Sequence, residues 1–267
     1  MELLDQNIAI LGAGNLGIAI GQGIVEEKLK EPGQVILTRR KLSHIAYLAE
    51  KGFKTVDDNT AAVAEAGYVF LCVQPRQLAA LIEEINPVLT ENHVLVSVIT
   101  GVSIDEIKSL LKVNVPVVRA MPNTAIAIGE SMTCIACNDS KELALTVQKV
   151  FNSLGQTLVI DEKLMQAATV LGASGIAFFM RFLRAATQGG VQMGFHSEEA
   201  QLIAVQTAKG AASLILETGN HPEVEIDRVT TPQGCTIAGL NEMEHQGLSS
   251  ALIKGLMVSY DKIKNIK

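Results

Sequence analysis

The stretch Ile8-Ala9-Ile10-Leu11-Gly12-Ala13-Gly14-Asn15-Leu16-Gly17 constrains the fold of this chain more than any other. A run of apolar and β-branched residues enters Gly-x-Gly-x-x-Gly directly, and an Ala/Ile-rich helical pattern from Ile18 to Val25 follows without a break. The pattern predicts a strand, a tight turn and a helix. In such a unit Gly12 permits the turn, Gly14 leaves room for a pyrophosphate beside the backbone, and Gly17 lets the helix pack close to the strand. The helix start, with Asn15 and Leu16, offers free N–H groups and a positive dipole end to phosphates. A glycine-rich turn without a ligand is the alternative, and the flanking strand and helix weigh against it.

The rest of the first 160 residues continues the alternation. Strands are expected at Gln34–Thr38, Phe53–Val56, Tyr68–Val73, His93–Ile99, Pro116–Arg119, Ser131–Cys137 and Thr157–Ile160, with helical patterns between them. This predicts a Rossmann-type doubly wound α/β sheet, whose ligands sit outside the carboxyl ends of the strands. Thr38, Gln74-Pro75, Thr100-Gly101 and Met121-Pro122-Asn123-Thr124 all fall at such ends. An Asp or Glu about 20 residues beyond the glycines would hold the ribose hydroxyls of NAD; this chain has Thr38, Arg39 and Arg40 there. A hydroxyl and two guanidinium groups suit a 2′-phosphate, so NADPH is the expected cofactor, with NADH an open alternative. Arginines that merely solvate the start of the next helix are the competing reading.

From Asp161 the alternation stops. Helical spacing runs through Lys163–Gly194, Glu198–Thr218, Cys235–Gln246 and Ser249–Lys264, which predicts a second, all-helical domain over 161–267 beside a nucleotide-binding domain over 1–160. The second domain is strongly apolar, with Phe178-Phe179-Met180 beside Phe182-Leu183, and one face is expected to meet another subunit. Net charge is −6 with acids and bases interspersed, which argues against a nucleic-acid partner. No leader pattern and no apolar run near ~18 residues is evident, so a cytosolic protein without a membrane partner is expected. Cys134 and Cys137 spell C-x-x-C on an expected strand, where residues three apart point to opposite faces, and the five histidines show no paired spacing; no metal site is expected.

A second motif lies between two of the helical patterns: Thr230-Thr231-Pro232-Gln233-Gly234-Cys235-Thr236-Ile237-Ala238-Gly239. Hydroxyls and a Pro/Gly turn precede a helix, so a carboxylate could rest on the N–H groups of Gly234, Cys235 and Thr236, with the Thr236 hydroxyl within reach of a neighbouring polar atom. An ordinary N-capped helix is the other outcome. This string resembles the signature of pyrroline-5-carboxylate reductases, and the resemblance extends over Gly12–Gly17, Val69–Pro75, Met121–Thr124, Ser174-Gly175 with Ala177, Gly210–Ala212 and His221-Pro222.

The resemblance implies reduction of the cyclic imine 1-pyrroline-5-carboxylate to L-proline with NAD(P)H, in a homodimer that in the family often assembles further. It implies that Thr236 hydrogen-bonds the imine nitrogen, that the Thr231–Thr236 loop holds the carboxylate, and that Asn59, Val73, Gln74, Pro75, Thr100, Met121 and Asn123 lie along the cofactor. A protonated imine accepts hydride readily, so the protein need mainly orient it and exclude water. Ile176 and Phe178 depart from the family's Gly-Pro-Ala-Tyr, Ala125 stands where Pro is common, and Gln74 stands where Lys is common. Two alternatives stand beside this reading: an NADPH-binding regulator without turnover, and a β-hydroxyacid dehydrogenase. The latter is weakened because Gly172-x-x-Gly175 is followed by Arg181 rather than a lysine that could take a proton.

Overall fold

The order of strands follows from where the apolar runs fall. A computed structural model describes residues 6–263, and in it eight strands form one sheet in the order β3-β2-β1-β4-β5-β6-β7-β8. The strands are β1 (Ile8–Leu11), β2 (Val35–Thr38), β3 (Lys54–Val56), β4 (Tyr68–Leu71), β5 (Val94–Ser97), β6 (Val117–Met121), β7 (Ser131–Cys137) and β8 (Gly155–Val159). β1, β2, β4, β5 and β6 are buried along their whole length, as parallel strands covered on both faces must be.

Alternate residues of each strand feed two cores. One face packs Ile8, Ile10, Leu37 and Phe70 against α1 (Asn15–Glu26) and α6 (Lys141–Asn152). The other packs Ala9, Leu11, Ile36 and Val69 against α3 (Asn59–Ala64), α4 (Leu78–Ile85) and α5 (Ile104–Leu110). Local chemistry sets the helix starts. Ser103 and Glu106 form a reciprocal capping box on α5, and the Asp58 carboxylate accepts from Ala61 N–H at the start of α3. The Thr60 hydroxyl and that N–H hold the Asp58 carboxyl below its ordinary value. β1 lies between β2 and β4, so the order reverses beside it and the glycine turn opens at that crevice.

The parallel order breaks at one place. β7 runs antiparallel to β6, because the link between them is a single 3₁₀ turn, Thr124–Ile128, ending at left-handed Gly129. A parallel return needs a crossover of roughly a dozen residues or more, which this link lacks. Cys134 and Ala136 of β7 face one core and Ile135 and Cys137 the opposite one, which separates the two cysteines as the strand period requires.

The chain divides into two compact units, one through Ser174 that also takes in Tyr260–Ile263, the other Gly175–Ser259. The division therefore falls after 174 rather than at the expected 160/161. The reason lies in the connector: Met165 and Ala168 of α7 (Met165–Ala168) pack on Met121, Cys134 and Ala136. A regular helix over 163–194 is not what forms. A 3₁₀ turn (Glu162–Leu164) leads through α7 into a widened π segment, Thr169–Ser174, and then α8 (Gly175–Gln192). Thr169 Oγ1 donates to the Met165 carbonyl at 2.7 Å, a side-chain competitor inside the helical ladder.

The stretch Glu162–Gln192 is also long and apolar enough, by length and composition alone, to cross a membrane. Gln166, Arg181 and Arg184 interrupt the apolar run there while the many Ala, Leu and Phe residues keep the average high, so no unbroken apolar run of that length stands in the sequence. The second unit continues with α9 (Ser197–Thr218), α10 (Pro222–Val229), α11 (Cys235–His245) and α12 (Leu248–Ile263). Residue Lys264, the expected end of α12, lies outside the described residues, and α10 is a helix that sequence periodicity missed.

Candidate active site

Gly12 shows why this turn takes no other residue. Its φ is +101°, and a Cβ built on it would stand 2.7 Å from the Cys72 carbonyl oxygen. A Cβ on Gly17 would meet the Gly12 carbonyl at 2.5 Å, so α1 can approach β1 only without one. Gly14 is the opposite case. A Cβ there would touch nothing within 4 Å, so the missing side chain leaves open space in front of the backbone. An elongated ligand with a backbone-bound phosphate fits such a cradle.

The turn opens into a cleft of about 630 Å³ lined by Gly12, Gly14, Thr38, Arg39, Arg40, Asn59, Val73 and Gln74, all named from the sequence. It is also lined by Asp57, Cys72, Arg76, Gln77 and Glu84, which sequence reading missed. Arg76 was legible as a cation one residue beyond the Gln74-Pro75 strand end; Glu84 lies eight positions further on and carried no local signal. The remaining residues named for the cofactor lie elsewhere in the first unit. Asn15 lines a separate concavity of about 500 Å³ beside α1 and the β6–β7 turn. Leu16 and Gly17 sit within α1, and Pro75 begins the 3₁₀ turn before α4. Thr100 Oγ1, beyond β5, lies 3.9 Å from Sδ of Met121, the last residue of β6, and Asn123 Nδ2 donates to the Gly172 carbonyl at 3.2 Å.

Hydrogen bonds fix the cleft wall. Arg39 Nη1 donates to the Ala13 carbonyl at 2.9 Å, so this guanidinium braces the glycine turn. Arg76 Nε donates to Gln74 Oε1 at 2.9 Å. Arg40 makes no ion pair among the described residues and is exposed, which leaves its guanidinium available to an anion. The Thr38 hydroxyl accepts from Gly12 N–H at 3.2 Å and donates to Asn59 Oδ1 at 2.6 Å. Its proton goes to Asn59, whereas the expected contact to a 2′-phosphate needs it turned toward the cleft. Burial pushes the Cys72 thiol up to about 12, so it lines the cleft as a neutral group.

In the second unit the Thr231–Thr236 stretch forms a turn that delivers α11. Gln233 takes a left-handed φ of +59°, and a Cβ on Gly234 would stand 2.5 Å from Thr231 Oγ1. Gly234 N–H donates to the Thr231 carbonyl at 2.9 Å, so it is spent within the turn rather than offered to a ligand as expected. The N–H groups of Cys235 and Thr236 are in the first turn of α11, where a helix has no internal acceptor for them, and no side chain caps them. Both residues are exposed. An anion with one neighbouring acceptor or donor matches two N–H groups and one hydroxyl.

Comparison with known proteins bears on both units. Residues 162–266 match the family described as pyrroline-5-carboxylate reductase dimerisation, and residues 7–101 match the family described as NADP oxidoreductase, coenzyme F420-dependent. Two relatives from Dictyostelium discoideum cover nearly the whole chain. Pyrroline-5-carboxylate reductase 1 is 50% identical over 100% of this chain, which spans about half of that relative (51%). Pyrroline-5-carboxylate reductase 2 is 46% identical over 97% of this chain and 92% of its own length. A solved pyrroline-5-carboxylate reductase from Coxiella burnetii superposes with a TM-score of 0.91 at 28% identity, covering 97% of this chain and 98% of that one. With that identity over nearly the full length of the second relative, and with the glycine cradle and the turn before α11 both in place, this chain belongs to the pyrroline-5-carboxylate reductase family.

Proposed function

We propose that this chain reduces 1-pyrroline-5-carboxylate to L-proline with NADPH, as a homodimer formed through its helical unit. The observation that carries the reading is the turn before α11, which presents two N–H groups without a partner among the described residues, and the Thr236 hydroxyl, on a chain that also holds the glycine cradle.

The cradle at Gly12 and Gly14 would hold the pyrophosphate on the N-terminus of α1. Arg40 and Arg76 supply fixed positive charge for a 2′-phosphate in the cleft, while Arg39 keeps the turn in shape. A bound reduced nicotinamide supplies the hydride. Cys235 and Thr236 N–H groups bind the substrate carboxylate, and the Thr236 hydroxyl hydrogen-bonds the imine nitrogen and so fixes which carbon is presented. Thr236 positions and does not ionise, since the protonated imine is already electrophilic. Val73, Gln74, Pro75, Thr100, Met121 and Asn123 line the remaining length of the cofactor in this reading.

The dimer is supported by exposed apolar side chains on the helical unit, among them Phe179 (65% exposed), Leu202 (70%) and Leu216 (78%). Among the described residues α10 and α11 bury none of their own side chains, so this unit has no sufficient core in one chain.

Mixing the purified protein with NADPH and 1-pyrroline-5-carboxylate, and following loss of nicotinamide absorbance, tests the proposal. Turnover of this imine, with none of 1-pyrroline-2-carboxylate and no NADP⁺ reduction by a β-hydroxyacid, is the expected result. NADPH binding without turnover would instead support a regulatory role.

A further inference from the structure

Glu84, on the exposed side of α4, has both carboxylate oxygens 3.1 Å from Asn59 Nδ2. A carboxylate can only accept, so it fixes which end of the Asn59 amide faces it and turns Oδ1 toward β2. There Oδ1 accepts the Thr38 hydroxyl proton at 2.6 Å, and the lone pairs of that hydroxyl are aimed at Gly12 N–H, 3.2 Å away. Four segments are thus linked in one line: α4, the first residue of α3, the last of β2, and the glycine turn. Asn59 Oδ1 and the Thr38 proton are thus both engaged in this line.

We infer that Glu84 is a positioning residue for dinucleotide binding, acting through Asn59 and Thr38 to hold the Gly12 N–H and the shape of the glycine cradle. The inference rests on the dinucleotide reading given above. Its sign separates it from simple electrostatics. Glu84 shares the cleft with Arg39, Arg40, Arg76 and Asp57. Removing a carboxylate from a cleft that takes an anion would, by charge alone, tighten binding. Loss of the relay does the reverse.

The test measures NADPH and NADH dissociation constants by calorimetry for the wild type, Glu84→Ala, Glu84→Gln, Asn59→Ala and the Glu84→Ala/Asn59→Ala double variant, with hydrogen exchange of the ligand-free proteins around Gly12. Glu84→Ala is expected to weaken both nucleotides about fivefold, the effect of one lost hydrogen bond. Glu84→Gln keeps an acceptor for Asn59 and should bind no more weakly than wild type. In the Asn59→Ala background Glu84→Ala should cause no further loss. The Gly12 amide should exchange faster in Glu84→Ala and not in Glu84→Gln. Unchanged or tighter binding by Glu84→Ala, or losses that simply add in the double variant, would overturn the inference. If the wild type binds neither nucleotide, the dinucleotide reading falls, and the Gly12 exchange rates alone then decide whether the relay exists.

Discussion

At the scale of single residues, the side chains nearest the proposed chemistry divide into those that hold the protein and those left for a ligand. Arg39 and Arg40 are adjacent in sequence, yet only Arg39 is tied to the Ala13 carbonyl. Arg40→Ala should therefore weaken NADPH about tenfold or more while leaving NADH nearly unchanged, whereas Arg39→Ala should weaken both; titration of each nucleotide distinguishes the two. Thr236→Ala should lower kcat/KM for the imine by about tenfold or more, with nucleotide affinity unchanged, if its hydroxyl aligns the substrate. An unaltered kcat/KM would remove that role. Cys235 is exposed whereas burial raises the Cys72 and Cys134 thiols above their ordinary value. Mild peroxide should therefore inactivate the wild type and spare Cys235→Ala.

At the scale of elements, the connector from β8 into α8 is held by a buried ion pair. Arg119 on β6 is 6% exposed and Glu162 14%, with Nη1 and Oε1 3.1 Å apart. Glu162 also accepts from Ile104 N–H at the start of α5 and from Asn138 Nδ2. Burial pushes the Arg119 guanidinium down from its ordinary value, and the hydrogen bond and charge of Glu162 oppose that shift. Glu162→Ala would strand the guanidinium away from water and should cost about 3 kcal/mol in urea unfolding, while Arg119→Met with Glu162→Leu should lie close to wild type. A second tie, Asn123 to the Gly172 carbonyl, holds the far end of the connector, inside the π segment. Such widened turns are frequent at functional sites, and this one ends where the first compact unit ends.

At the scale of the whole molecule, the helical unit is a set of amphipathic helices whose apolar faces exceed what one chain covers. Leu202→Glu with Leu216→Glu should shift the proposed dimer to monomer in sedimentation, and should lower the melting temperature as well. Each leucine stands to bury side-chain area worth roughly 1.5–3 kcal/mol, so the two together are a large share of an interface. A protein that stays dimeric with both glutamates would place the subunit contact elsewhere on the unit.

The sequence by itself determined the order of strands and helices in the first unit, because a buried parallel strand must be apolar throughout and a glycine turn admits no Cβ at Gly12. It also determined the helical character of the second unit and the family, because the Thr231–Thr236 string is continuous along the chain. Three things waited for the tertiary structure. The reversal of β7 depended on the length of one link. The extent of the first unit depended on Met165 and Ala168 meeting residues of β6 and β7 far away in sequence. The roles of Thr38, Asn59 and Gly234 depended on hydrogen-bond partners that local pattern does not encode: a hydroxyl at a strand end reads the same whether its proton goes to a ligand or to an amide 21 residues away. Periodicity reports which face of an element is buried, and only the folded chain decides which polar groups are already satisfied.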